Sequence, residues 1–244
     1  MQALILAGGL GERLRSVIND RPKPMANVGG KPFLEHQLDF LKHHGVYHLV
    51  LCVGYRHQQI QEYFGSGDCW GIHIDYSVEA ELLGTAGAIK QADDYIHGGF
   101  FTLNGDTFFD IDLGDFTEFH ELNKSMRERY IASIALARVR EAGRYGSVCL
   151  DDNNRVLRFT EKEESRADDR GGSIWVNAGI YIFEPEILDH IPSHKKASVE
   201  RDIFPSLLEA GFVLGGYRAE GAFIDIGTPE GYYKFQDYVL GRKQ

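Results

Sequence analysis

The residues with usable chemistry fall into three groups: a glycine cluster, a pair of fixed cations, and two aspartates set in apolar strands. Gly8-Gly9-Leu10-Gly11 follows the apolar run Ala3-Leu4-Ile5-Leu6-Ala7. Three glycines in four positions leave backbone N–H groups uncovered, and such a loop can wrap around phosphate oxygens. Arg13 and Arg15 bring positive charge to the same place, and Lys23 stands between Pro22 and Pro24. Glycine-cradled backbone, an arginine and a rigidly placed lysine suit a triphosphate. Paired glycines after a strand are also what a tight turn requires. No third glycine completes G-x-G-x-x-G, and no Gly-Lys-Ser/Thr closes a Walker loop.

Asn104-Gly105-Asp106 ends the apolar stretch Phe100-Phe101-Thr102-Leu103, at the carboxyl end of a strand where open α/β sheets place ligands. Asp225 lies in Phe223-Ile224-Asp225-Ile226-Gly227. A carboxylate inside an apolar strand is costly unless it is paired or metal-bound. Magnesium is commonly held by one or two carboxylates, phosphate oxygens and water, so Asp106 and Asp225 can meet at one ion. Each is also compatible with a turn or cap aspartate. Glu161-Lys162 runs into Glu163, Glu164 and Arg166 and reads by itself as a solvated charge run. Asn177 lies inside the strand-like run Trp175–Phe183, where a buried amide needs partners that sugar hydroxyls would supply. Tyr145-Gly146 fits a strand start, and Lys195-Lys196 with Arg201 suits either a sugar phosphate or a covered helix surface. His43, His44, His48, His57, His73 and His97 show no metal-ligand spacing on one helix face, and they are assigned no chemistry. No G-x-S-x-G nucleophile motif occurs.

Alternating strand and helix patterns must position these groups. Phe33 to His43 carries Phe33, Leu34, Leu38 and Leu41 at helical spacing and ends at Gly45. His48–Val53 reads as a second buried strand, Gln58–Phe64 as a short helix, Ile72–Val78 as a strand and Thr85–Gln91 as a helix opening at Gly84-Thr85. The second half is richer in strands: Tyr130–Arg138, Ser147–Leu150, Arg155–Thr160, Trp175–Phe183, Val213–Tyr217 and Ala222–Ile226, with helices over Val199–Glu209 and Pro229–Leu240. This alternation predicts an α/β fold with a mainly parallel sheet flanked by helices. The expectation is one domain over residues 1–244, with a nucleotide-binding half to about 115 and a half from about 116 that contributes a second substrate.

Composition narrows the partners. The chain has 244 residues, 43% hydrophobic, with a net charge of −10. That balance argues against nucleic acid or an anionic membrane and leaves room for a small phosphorylated substrate in a local positive pocket. Cys52, Cys69 and Cys149 are odd in number and scattered, which fits a reducing compartment and no zinc site. No stretch approaches membrane-spanning length and no signal peptide is legible, so a cytoplasmic location is expected.

The ordered set Gly8-Gly9-Leu10-Gly11-Glu12-Arg13-Leu14, Arg21-Pro22-Lys23-Pro24-Met25, Leu83-Gly84-Thr85-Ala86-Gly87, Asn104-Gly105-Asp106, Glu161-Lys162, Asn177-Ala178-Gly179 and Asp225-Ile226-Gly227-Thr228-Pro229 resembles the sugar-1-phosphate nucleotidyltransferases. The wording is most similar to the D-glycero-α-D-manno-heptose 1-phosphate guanylyltransferases. The resemblance implies a Rossmann-like (GT-A-like) three-layer α/β fold with a mixed, mostly parallel central sheet. It implies transfer of a nucleoside monophosphate from an NTP to a sugar 1-phosphate with release of pyrophosphate. It implies that the backbone of Leu6, Ala7, Gly8, Gly9 and Gly11, with Gly84 and Thr85, holds the nucleotide. Arg13, Lys23 and Lys162 would be catalytic, and Asp106 with Asp225 would hold Mg2+ or Mn2+. Tyr145, Gly146, Glu161, Lys162 and Asn177 would line the sugar-phosphate pocket. Glu12 departs from the family pattern, which usually has threonine there.

Glu79 points to the base. Guanine offers two adjacent donors that one carboxylate can accept in a fork, whereas uracil would meet it with carbonyls. GTP is therefore the expected NTP, although a loop-surface glutamate would look the same in the sequence. A heptose 1-phosphate is the expected acceptor and mannose 1-phosphate the alternative. A non-catalytic nucleotide-sugar-binding regulatory subunit is the alternative of a different class, and it would be expected to lack Arg13, Lys23 or an aspartate, all of which are present. A homodimer is compatible with the fold, but no interface is legible.

Overall fold

Period-two burial in the first strand sets the architecture. In β1 (Gln2–Leu6), Ala3 and Ile5 face one apolar cluster while Leu4 faces another. Past the short antiparallel pair β2 (Asn27–Val28) and β3 (Lys31–Pro32), β4 (His48–Val53) repeats the pattern, with Leu49, Leu51 and Val53 in the first cluster and Val50 and Cys52 in the second. Strands apolar on both faces must be covered on both sides, as parallel strands usually are. The computed structural model describes residues 1–14, 17–18, 20–139, 147–160 and 174–242.

Among these residues a nine-stranded sheet forms the middle layer. It adds β5 (His73–Val78), β6 (Phe100–Asn104), β8 (Tyr130–Val139), β9 (Ser147–Leu150), β10 (Val156–Thr160), β11 (Ile174–Phe183) and β12 (Val213–Ala219) to β1 and β4. The order is β10-β9-β11-β6-β1-β4-β5, with β8 pairing both β11 and β12. β6, β1, β4 and β5 run parallel. β11 runs antiparallel to β6, β8 and β9, so the sheet is mixed around its longest strands. α1 (Phe33–His43), α2 (His57–Phe64) and α4 (Leu113–Met126) supply apolar residues to one face. α3 (Gly84–Gln91) and α5 (Phe204–Glu209) supply them to the other. The strand and helix patterns read from the sequence reappear with end shifts of one or two residues, apart from the Val199–Glu209 segment, and α4 and the short strand Thr107–Phe109 have no counterpart among them. α4 carries no clear apolar stripe because its buried positions include His120 and Asn123 beside Leu113 and Phe116. The Val199–Glu209 segment is a π-helical turn over Val199–Ile203 before it becomes α5.

A third cluster anchors the far end of the chain. β7 (Thr107–Phe109) pairs antiparallel with β13 (Phe223–Asp225), and α6 (Pro229–Val239) covers them. Phe235 of α6 sits 5.0 Å from the Phe33 ring and 5.1 Å from the Phe108 ring, measured between centroids. This packing carries Asp225 back to the loop that follows β6. β11 is interrupted by a bulge in which Ala178, Gly179 and Ile180 oppose Ala135 alone. Gly179 adopts a left-handed φ of 71°, and a side chain there would collide with the Asn104 amide.

Candidate active site

Chain order creates a crevice between β1 and β6. β1 leads by way of α1 to β4 on one side, while β6 lies on the other side of β1 and is reached by way of α3. Ligands of open α/β sheets bind at such a switch point, outside the carboxyl ends of the strands. The loops after β1 and β6 touch there: Gly105 N–H donates to Leu6 C=O at 3.0 Å. A β-carbon on Gly105 would lie 2.5 Å from that oxygen, so only glycine permits the approach. Gln37 of α1 holds the second loop from behind, its Nε2 donating to Asn104 C=O and Thr107 C=O at 2.9 Å each.

A cavity of about 350 Å3 opens at this point. Leu6, Ala7, Gly8, Gly9, Lys23, Glu79, Gly84, Thr85 and Asp106 all line it, so most of the nucleotide residues expected from the sequence meet in one place. Gly11 lies beside a smaller neighbouring crevice, with Lys23 common to both. A β-carbon on Gly8 would fall 2.3 Å from Glu79 Oε1, so a larger residue there would push the Glu79 carboxylate aside. Glu79 Oε2 accepts the Leu83 N–H at 2.9 Å, and burial raises its carboxyl pKa above the ordinary value. Gly84 has a φ of 73° and lies against Ala197 C=O. Ala197 N–H donates to Leu83 C=O and Ala86 N–H donates to Ala197 C=O, which laces the start of α3 to the segment carrying Lys196. Lys196, left undecided between a phosphate ligand and a surface residue by its sequence context, lines the cavity. Asn104 and Pro24, which flank the marked aspartate and lysine, line it as well, and so does Leu82, which nothing in its residue type marks.

The charged groups converge at the mouth. Pro22 and Pro24 bracket Lys23 in a 3-10 turn, with Met25 N–H bonded to Pro22 C=O. Lys23 Nζ reaches Asp106 Oδ2 at 2.6 Å, with the lysine side chain only 12% exposed. Ile226 N–H donates to Asp106 C=O, and Asp225 pairs in register with Thr107, so the two aspartates share a backbone frame. Burial raises the Asp225 pKa, and the Asp106 charge raises it further against the pull of Gly227 N–H, Lys23 and Arg13. A β-carbon on Gly227 would meet Asp225 Oδ1, an Arg13 guanidinium nitrogen and Lys23 Nζ within 2.6, 2.9 and 3.1 Å. Gly227 therefore marks where both cations and the buried acid come together. Glu12 is exposed at the start of the adjoining turn Glu12–Leu14.

These acids fit a hard divalent cation. Two carboxylates in mutual repulsion, one half-buried and raised in pKa, need a positive partner, and only oxygens are offered by them. Asn177 and Thr85 belong to a different network. Asn177 Nδ2 donates to Tyr181 Oη at 2.8 Å, and Asn177 Oδ1 accepts Gly179 N–H inside the bulge. Tyr181 Oη donates to Glu200 Oε1, and Thr85 Oγ1 and Ser198 Oγ donate to Glu200 Oε2. The Asn177 amide thus has protein partners and does not line the cavity. Tyr145, Gly146, Glu161 and Lys162 lie outside the described residues.

The family model described as nucleotidyl transferase matches residues 2–241. The chain is 39% identical over 238 residues to the D-glycero-alpha-D-manno-heptose 1-phosphate guanylyltransferase of Campylobacter jejuni, covering 96% of this chain and 98% of that one. It is 38% identical over 243 residues to the enzyme of the same description from Aneurinibacillus thermoaerophilus, covering 97% of each. The crystal structure of HddC from Yersinia pseudotuberculosis complexed with GMP-PN matches with a TM-score of 0.80 and 35% identity, over 98% of this chain and 99% of that one. The family generally uses divalent metal ions. A model match across nearly the whole chain, joined to a glycine-lined cavity with its cations and acids in place, makes this protein a member of the nucleotidyl transferase family.

Proposed function

We propose that the protein transfers GMP from GTP to D-glycero-α-D-manno-heptose 1-phosphate, giving GDP-heptose and pyrophosphate. The observation that carries this reading is the convergence of Arg13, Lys23 and Asp225 around Gly227, with Asp106 paired to Lys23, beside a glycine-lined cavity walled by Glu79. The relatives from Campylobacter jejuni and Aneurinibacillus thermoaerophilus support the choice of base and sugar, since both are described as heptose 1-phosphate guanylyltransferases.

A sugar 1-phosphate is already an anionic nucleophile at neutral pH, so no general base is required. The task is to align two anions that repel each other and to stabilise charge at the α-phosphorus. In this reading the backbone of Leu6 to Gly11 and the start of α3 cradle the nucleotide. Arg13 holds the departing pyrophosphate, and Lys23 releases Asp106 to meet the α-phosphate as charge builds there. Asp106 and Asp225 would hold Mg2+, which when bound supplies positive charge between the phosphates. Glu79 accepts guanine N1–H and N2–H2 with its remaining lone pairs. Lys162, with Tyr145, Gly146 and Glu161, would serve the acceptor, as the resemblance implies, while Asn177 braces the bulge of β11. Displacement is in line and single, without a covalent enzyme intermediate.

A pyrophosphate-release matrix of GTP, ATP, UTP and CTP against heptose and mannose 1-phosphates tests this. GTP with the manno-heptose 1-phosphate is expected to be fastest. Glu79→Gln should erode the preference for GTP by roughly tenfold to a hundredfold, the value of one bidentate base contact. Faster turnover with UTP or CTP, or an unchanged GTP preference in Glu79→Gln, would overturn the base assignment. Faster turnover with mannose 1-phosphate would overturn the sugar.

A further inference from the structure

At the other end of the sheet, three metal-ligating side chains meet that the transfer reaction does not use. His48 opens β4 and His73 opens β5, and the two residues stand opposite each other in the parallel register. Asp75 lies two residues along β5, so its side chain emerges on the same face as His73. Asp75 Oδ2 is 2.8 Å from His48 Nε2 and 3.3 Å from His73 Nε2. The two rings are 5.0 Å apart between centroids and inclined at 60°. One oxygen therefore receives both imidazoles through the same ring atom. All three donor atoms lie within 4.8 Å of one another.

We propose that His48, His73 and Asp75 form a binding site for a divalent transition-metal ion of the zinc class, separate from the cation site of the transfer reaction. A tetrahedral ion with bonds of about 2.0–2.1 Å has ligand atoms about 3.3 Å apart. The 3.3 Å between His73 Nε2 and Asp75 Oδ2 already matches that spacing, and the 2.8 Å between His48 Nε2 and Asp75 Oδ2 has to lengthen by about 0.5 Å as an ion enters. Imidazole nitrogen with carboxylate oxygen selects zinc, cobalt, nickel or copper over magnesium or calcium. All three side chains are partly exposed, which gives an ion a route in and leaves a place for water. The position decides the role. Five residue steps of β4 separate His48 from Val53, roughly 17 Å, and the cavity lies beyond Val53. An ion here acts on the fold by clipping β5, the strand at the end of the sheet order, to β4.

Calorimetric titration of the purified protein with Zn2+, in excess Mg2+ to occupy the catalytic carboxylates, tests the proposal. His73→Ala and Asp75→Asn should each weaken one binding event by roughly tenfold or more, since losing even an outer-shell partner costs that much. Asp106→Asn should leave the same event in place. Pyrophosphate release under saturating Mg2+ should be unchanged in His73→Ala, and Zn2+ should raise the melting temperature of the parent but not of that variant. Absence of a binding event, one that His73→Ala and Asp75→Asn leave intact, or one that Asp106→Asn removes would each overturn the site. None of these results depends on which nucleotide or sugar the enzyme uses.

Discussion

Asp225 is a carboxylate held where the fold disfavours its charge. Its pKa is raised by burial and by the Asp106 charge, so the ionised form is disfavoured in the folded protein. The sign follows: as pH rises through the folded pKa, the folded state loses stability relative to the unfolded chain. Asp225→Asn keeps the oxygen that accepts Gly227 N–H at 2.6 Å while removing the charge. Without a divalent ion at neutral pH, that variant should unfold at higher denaturant than the parent, and its turnover should fall roughly a hundredfold to a thousandfold. Urea melts with and without Mg2+, beside pyrophosphate release, check both halves. A variant less stable than the parent in metal-free buffer would contradict the electrostatic account. Lys23 has the opposite character: its contact with Asp106 relieves the repulsion between the two aspartates.

At the scale of elements, α4 is held by a directed hydrogen-bond chain. Its Ncap, Asp112, accepts Gly114 N–H and Asp115 N–H, and its buried face presents His120 to β8 and to Glu184. Burial lowers the His120 pKa, so the ring is neutral at neutral pH. Glu184 as a carboxylate can only accept, so His120 Nε2 carries the proton and donates at 2.8 Å. His120 Nδ1 must then accept from Ser133 Oγ, and Ser133 must accept from Tyr130 Oη. Burial pushes Tyr130 up to about 12, which keeps it a donor. Burial also pushes Glu184 up, but the hydrogen bonds from His120 and Lys124 outweigh it and the net direction is down. Both shifts act alike. The unfolded chain takes up a proton at His120 near its ordinary value of 6.5 while the folded chain resists, and below the ordinary 4.5 of Glu184 the same holds for the carboxylate. Stability should therefore fall as pH drops from neutral to about 5.5. His120→Gln should cost about 1–3 kcal/mol at neutral pH and flatten that slope. Denaturant melts across the range check it, and an undiminished slope in the variant would place the acid sensitivity elsewhere.

For the whole molecule, the sheet joins loops that are far apart in sequence, so ligand binding must report on global stability. Residues near 8, 23, 79, 84, 106 and 196 line one cavity, and the Glu200 network ties β11 to α3 beside it. A ligand bound only by the folded state stabilises by about 2.7 kcal/mol at a hundredfold excess over its Kd. In a chain of this size that corresponds to a rise of about 5–10 °C in Tm. GTP with Mg2+ should give such a shift in thermal scans, UTP a smaller one, and Asp106→Asn should reduce the GTP shift. Equal shifts from all four nucleotides would argue against a base-reading wall at Glu79. Among the described residues, no helix is long and apolar enough to cross a membrane.

Local chemistry was legible because it is local. The Gly8–Gly11 loop, proline-bracketed Lys23, Asn104-Gly105-Asp106 and the apolar frame of Asp225 are each visible within a few residues, and most strands and helices follow from period alone. α4 was hidden because its inward stripe contains His120 and Asn123, whose burial makes sense only once Ser133, Glu184 and the Phe119 carbonyl are there to satisfy them. The role of Lys196 depended on the Ala197 segment being laced to α3, a contact across more than a hundred residues. His48 and His73 carry no shared spacing on one helix face, and strand register alone sets them opposite each other with Asp75 between. The sequence by itself determined the glycine loop, the proline-bracketed lysine and the segments that become strands, because those depend on neighbours in the chain. Which acids, amides and imidazoles share a site was decided by sheet order and register, because a hydrogen bond or a coordinating pair acts through space, at about 3 Å, whatever the distance along the chain.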